Sequence, residues 1–268
     1  MNKETIYQQV QKELAKDFGE RPIEDVGRIL TIVQASEVKE SEVIPLAQYC
    51  YTKLFVELKR GNENTARQSW VVASGNNFEG LVRNFINDSL NSKGILSVKG
   101  DRLLNNPRAK DIVNFLTLQA NRRCTQTATG VWPDSDIVVL TKEKSGRLKV
   151  FALLSCKTSD HSRNDAVLFW ALALRNTGIK YCLVTQDLDD RYVKGDSDPR
   201  ISNIRRKSEA YLDRIYTTNP LTVECTQVRK LDFKQSIIEN PLLSDLVKWQ
   251  RDIVPNCILE TISESALT

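Results

Sequence analysis

One histidine, His161, is all the imidazole that 268 residues supply. A lone histidine with no cysteine or carboxylate partner pattern argues against a zinc site. Cys50, Cys124, Cys156, Cys182, Cys225 and Cys257 include no Cys-x-x-Cys pair, and several sit inside apolar runs, where a free thiol acts as a small hydrophobe. They read as reduced cysteines of a cytoplasmic protein rather than as a disulfide framework. No apolar run approaches the length that spans a bilayer, so no membrane association is expected. The opening residues are charged and lack the apolar core of a secretory signal. The chain also has no internal repeat and no low-complexity segment.

What is present is charge, unevenly spread, over an apolar fraction of 41% that suffices for one large domain or a domain plus a lobe. The net charge of +4 says little by itself. Its distribution says more. The first fifty residues carry an acidic excess, whereas 53–123 and 191–207 are rich in lysine and arginine. Clustered cations on one part of a fold are the footprint of a phosphate-backbone binder. Apolar residues at helical spacing (Ile6, Val10, Leu14; then 23–33; then 43–59, with Pro45 in the first turn) predict a helical N-terminal lobe over 1–61. The second domain is then 62–268. A helix over 76–92, capped by Ser74 or Asn76, puts Glu79 in its first turn. Further helices are expected over 160–178, 203–216 and about 240–251, with a buried strand over 179–187.

The chemistry concentrates in two apolar runs, WPDSDIVVL (132–140) and FALLSCK (151–157), joined by a turn around Gly146. Side chains two apart on a strand share a face. Asp134 and Asp136 therefore project together, and so do Ser155 and Lys157. A hairpin of these runs sets one or two carboxylates beside a lysine at the end of a buried sheet. Mg²⁺ favours such hard oxygen ligands and keeps several waters. Phosphodiester hydrolysis uses the ion to neutralise charge and to lower the pKa of the attacking water, with a cation stabilising the transition state. The sequence leaves open which aspartate binds the metal. The order strand, strand, helix, strand over 132–187 predicts a crossover to a parallel strand. The expected fold is α/β, a mixed central β-sheet flanked by helices.

Pro133-Asp134 followed by Ser155-Cys156-Lys157 resembles the PD-(D/E)xK nuclease superfamily, and within it the type II restriction endonucleases, over roughly residues 70–190. The resemblance implies an α/β/α core whose hairpin carries Asp and then (Asp/Glu)-x-Lys, preceded by a helix bearing Glu. The order Glu79, Asp134, Lys157 fits it. The departure is Ser155, which stands where the acid belongs. Some restriction enzymes carry Ser-x-Lys and take the missing carboxylate from the following helix, a place that Asp165 could fill. The resemblance implies catalytic roles for Asp134, Asp136, Ser155, Lys157, Asp165 and Glu79, with Asp134, Asp136, Asp165 and Glu79 as metal ligands. It also implies Mg²⁺ as cofactor, double-stranded DNA as substrate and 5′-phosphate products. Since one site cuts one strand, it implies a homodimer or a pair with a homologous subunit. WPDSDIVVL, LLSCKTS and the LFWALALRN helix look most like the group that cuts CCTNAGC-type sites, the BbvCI-like group.

For DNA contact the candidates are Arg122, Arg123 and Gln126 in the polar stretch before the first strand, His161 and Arg163 at the helix after Lys157, and Arg200, Arg205 and Arg206 in the second basic run. Arginine to guanine and glutamine to adenine are common base-edge pairings, although most such residues touch phosphate. Two competing readings stand beside restriction: a structure-specific repair nuclease on the same fold, and a DNA-binding subunit whose site decayed at Ser155.

Overall fold

The computed structural model describes residues 2–36, 38–59, 61–104, 106–117, 131–133, 135–159 and 164–262. Contacts divide the chain into two compact units, Met1–Gly80 and Leu81–Thr268. In the first, α1 (Lys3–Leu14), α2 (Pro22–Ala35) and α3 (Glu40–Lys59) bury Ile6, Val10, Leu14, Val26, Ile29, Val33, Tyr51 and Leu54 in one core. Asn2 caps α1 by accepting the Thr5 N–H at 2.8 Å. α3 starts at Glu40, so Pro45 lies inside the helix rather than in its first turn, where its ring nitrogen removes one intrahelical hydrogen bond.

α4 departs further from expectation. It is one helix from Glu63 to Leu90, not one that starts at 76. Asn62 caps it, accepting the Thr65 N–H at 2.9 Å, and buried Ala66, Trp70 and Ala73 carry the apolar stripe back through the expected caps. Glu79 is thus a mid-helix residue. The two-unit boundary falls inside this helix, whereas the sequence pattern put a boundary near Gly61.

The second unit is built on a six-stranded sheet in the order β1 (Ile95–Lys99), β2 (Ile137–Lys142), β3 (Leu148–Lys157), β4 (Lys180–Thr185), β5 (Arg214–Thr217) and β6 (Val228–Lys230). The first three strands are antiparallel and the last four parallel. The β2–β3 hairpin forms as its sequence predicts, with Gly146 at φ +85° in the turn. The crossover also forms: α7 (Asn164–Leu174) links β3 to a parallel β4. Short helices α5 (Gly100–Leu104) and α6 (Lys110–Leu116) follow β1. The helix expected over 203–216 ends early. α8 spans Asn203–Tyr211, and Ile215 and Tyr216 instead pair with β4 as fully buried strand residues. Tertiary pairing overrides a helical pattern there. α9 (Pro241–Ile253) begins at a cap from Asn240. Leu96, Val138, Leu153, Val167, Trp170, Tyr181, Leu183 and Ile215 form the core of this unit.

The registers align one end of the sheet. Lys99 pairs with Ile137, Ile137 with Leu154, and Lys157 with Thr185, which in turn pairs with Thr217. That end gathers the exit of β1, the entry of β2 and the exits of β3, β4 and β5. The sheet changes from antiparallel to parallel at β3. In open α/β sheets, ligands bind beyond the carboxyl ends of parallel strands where the strand pattern switches. Among the described residues, no helix is long and apolar enough to cross a membrane.

Candidate active site

Asp136 is the residue just before β2. Its N–H donates to the Leu154 carbonyl at 3.1 Å, and its own carbonyl accepts the Gly100 N–H at 3.0 Å. Extending the β2–β3 register by one step sets it opposite Ser155. Its Oδ2 accepts the Cys156 N–H at 2.6 Å, the Lys157 ammonium at 3.2 Å and, more weakly, the Ser155 hydroxyl at 3.4 Å. No described residue bonds its Oδ1. One carboxylate oxygen is therefore anchored by the hairpin and the other is open, beside a lysine that keeps 16% of its side chain exposed.

This geometry follows from the residues. Ser155 is fully buried, and a side chain that small lets the strands close while still reaching the carboxylate. Gly100 is a positioning element that the sequence reading did not include. A Cβ there would lie 2.4 Å from the Ser135 carbonyl oxygen, so only glycine permits the approach that holds Asp136 by its backbone. Its signal was a glycine directly after a strand.

The other acids are placed differently. Asp165 lies in the first turn of α7 with its side chain 94% exposed, and its ionic partner is Lys207 of α8 at 3.9 Å. Glu79 belongs to the first unit, buried on α4. Asp134 lies outside the described residues. Among those described, no group of three His, Cys, Asp or Glu side chains is placed to hold a metal. What is present is one carboxylate with an open oxygen, a hard donor of the kind Mg²⁺ takes together with waters and substrate phosphate.

The loop after β4 starts beside Lys157. The Gln186 N–H donates to the Lys157 carbonyl at 3.0 Å and the Leu188 N–H to the Thr158 carbonyl at 3.2 Å. Asp187, fully buried at φ +52°, accepts the backbone N–H groups of Arg191 (2.7 Å) and Tyr192 (3.0 Å). Burial pushes its carboxyl up to about 6, against the pull of those two bonds.

Arg205 overturns its sequence reading. As a candidate for base contact it should be exposed, yet its side chain is only 1% exposed. Nε donates to Glu209 at 2.7 Å, and the two terminal nitrogens donate to the carbonyls of Tyr192 and Val223. A buried guanidinium persists only when so satisfied, which makes Arg205 a clamp between two loops. Its neighbour Arg206 is exposed. Arg200 is also exposed, its guanidinium held by Asp198 through Nε (3.1 Å) and Nη2 (3.2 Å). Arg122, Arg123, Gln126, His161 and Arg163 lie outside the described residues.

A mixed sheet with an aspartate–lysine pair at its switch point defines an α/β protein with a candidate site at that sheet end. Comparison with known proteins narrows this. Residues 121–237 match the family model described as BsaWI restriction endonuclease type 2. MjaVIP of Methanocaldococcus jannaschii, a protein described provisionally as a type II restriction enzyme, is 27% identical over 202 residues, 71% of this chain and 85% of that one. The crystal structure of the restriction endonuclease AgeI on DNA superimposes with a TM-score of 0.59 at 16% identity, covering 92% of each chain. The chain is thus similar to type II restriction endonucleases and shares the fold of AgeI. These relatives do not support the narrower likeness to the group cutting CCTNAGC-type sites.

Proposed function

We propose that this chain is a type II restriction endonuclease, a Mg²⁺-dependent hydrolase that cuts both strands of duplex DNA at a short specific sequence and leaves 5′-phosphates. The observation that carries the reading is the Asp136–Lys157 pair at the sheet's switch point, inside the segment matched by the BsaWI family model. AgeI, whose fold is shared, is a DNA-bound restriction enzyme in its crystal structure, which supports duplex DNA as the substrate.

Asp136 would hold the ion through its open oxygen, with Asp134 as the second candidate ligand. When bound, Mg²⁺ neutralises charge on the scissile phosphate and lowers the pKa of the attacking water. The chain's own residues do the rest. Lys157 supplies a fixed cation for the charge that develops at phosphorus, and Asp136 holds that ammonium in place. The Cys156 N–H and Ser155 restrain the carboxylate, so little reorganisation accompanies the reaction. Arg200 and Arg206 are exposed cations suited to phosphate or base-edge contact.

Incubation of the chain with phage DNA and Mg²⁺ should give discrete fragments bearing 5′-phosphates, abolished by chelation. Cleavage confined to branched DNA would sink the reading. One observation favours a second reading: no described acid completes the site at Ser155. If the chain binds duplex DNA but cuts only when a homologous subunit is added, it is the DNA-binding member of a pair.

A further inference from the structure

β4 and β5 leave the sheet in the same way. Thr185 and Thr217 are paired and fully buried, and the Oγ1 of each accepts the N–H two residues on. The donors are Asp187 at 3.0 Å and Asn219 at 3.1 Å. The two loops then differ. Among the described residues, Asp187 and Asp190 are the non-glycine residues at positive φ, +52° and +56°. Such conformations persist only where their surroundings over-determine them, and they gather at functional sites. Asn219 supplies much of that restraint. Its Nδ2 donates to the Asp187 carbonyl at 3.1 Å and to Asp190 Oδ1 at 2.8 Å. Its Oδ1 accepts the Leu221 N–H at 3.0 Å, which fixes the amide from its own side.

The loop so held is the one bonded to the end of β3. Asp187 stands between Gln186 and Leu188, whose N–H groups donate to the Lys157 and Thr158 carbonyls. Among the described strand positions, β2 pairs with β3 only as far as Leu154, so the main chain at Lys157 is gripped from the β4 side. A lysine reaches its target on a flexible stem of four carbons. The backbone at its root therefore decides where the ammonium can fall. From these contacts we infer that Asn219 is a positioning residue for Lys157: it fixes the strained loop that pins the end of β3, and so holds the ammonium at Asp136. The inference rests on the nuclease reading for the use made of Lys157, not for the hold on it.

Asn219→Ala in the full chain tests both parts. Amide exchange at Gln186 and Leu188 should quicken at least about tenfold, with the amides inside β4 unchanged. Single-turnover cleavage of phage DNA should slow on the order of 10–100-fold, as displacement of a catalytic group does, while the dissociation constant for that DNA stays within about threefold. Asn219→Asp keeps the acceptor for Leu221 but turns a carboxylate on Asp190. Two carboxylates so close share a proton, which the pair binds above the ordinary carboxylate range. The protonated form donates to Asp190 again, so the rate relative to wild type should rise from about pH 8 to about pH 6. Asp187 titrates in both proteins and Asp189 is held by Arg191 at 2.8 Å, so the ratio isolates the new pair. Unchanged exchange at Gln186 and Leu188 overturns the inference whether or not the chain cuts DNA. So does faster exchange with an unaltered rate, a loss carried wholly by DNA affinity, or an Asn219→Asp ratio that stays flat with pH. Faster exchange in a chain that cuts no DNA removes the nuclease reading and leaves the hold on Lys157 standing.

Discussion

Lys157 and Arg205 look alike in the sequence, each a cation in a stretch with a reason to meet DNA, and the structure gives them opposite tasks. Lys157 ends β3 with one carboxylate partner that is itself half open. Arg205 sits in α8 with each guanidinium nitrogen taken, by Glu209 and by two backbone carbonyls. An unspent hydrogen-bonding and electrostatic capacity is what a reacting phosphate can use. A spent one holds the protein together. Residue type does not separate the two; neighbours and burial do.

The sharpest break of this comparison comes from truncating each residue in turn. Lys157→Ala should lower the single-turnover cleavage rate on the order of 10²–10³-fold, the cost of removing one preorganised charge stabiliser. Its unfolding midpoint should move by only a few degrees. Arg205→Ala should do the reverse. Leaving Glu209 and two carbonyls unpaired in the interior costs roughly 3–5 kcal/mol, about 10 °C or more for a unit of this size. If Arg205→Ala unfolds at the wild-type temperature but loses DNA binding, the buried-clamp assignment is wrong.

A smaller effect probes the same loop through Asp187. Its carboxyl is raised to about 6 from a usual 3.8, so the folded protein favours the neutral form. Stability from this group is fully present below the unfolded value and is lost as pH rises through the folded one. The substitution Asp187→Asn removes the ionisation; it keeps one acceptor oxygen and sets an NH2 group against the other backbone N–H, a cost that does not vary with pH and so leaves the slope of the difference intact. The midpoint of the variant minus that of the wild type should therefore climb between pH 4 and 7, by a few degrees, in thermal melts across that range. A flat difference would mean that Asp187 titrates normally.

Smallest is Arg200→Ala. Arg200 is exposed and tied only to Asp198, an ion pair worth little at the surface. Stability should not change, while the dependence of DNA affinity on salt should lose about one unit of slope if the residue meets a phosphate. Unchanged slope with relaxed sequence choice would instead mark it as a base reader.

The parts of the fold that were legible were those written in local pattern. Alternating apolar runs around Gly146 specify the β2–β3 hairpin, and capped helix plus apolar run specify the α7–β4 crossover. What misled was pattern without context. The stretch 203–216 keeps a helical rhythm, yet Ile215 and Tyr216 are drawn into the sheet by pairing with β4. Ser74 and Asn76 are good cap types inside a helix that had already begun at Asn62. At the site, Lys157 and two candidate aspartates, Asp134 and Asp136, were readable, but not the choice between them. That Asp136 meets Lys157 was not, because the contact depends on the cross-strand register and on the Cys156 backbone, which carries no side-chain signature.

By itself, then, the sequence determined the α/β class, the hairpin and the residue types of the candidate site, since alternation, turn glycines and motif spacing are local properties. Only the tertiary structure decided which charges remain open. It closed Arg205 inside its loops and left Asp165 in solvent. It set Asp136 against Lys157 at the sheet's switch point. Those outcomes depend on groups far apart in the chain competing for the same space and the same hydrogen bonds, and no local pattern records that competition.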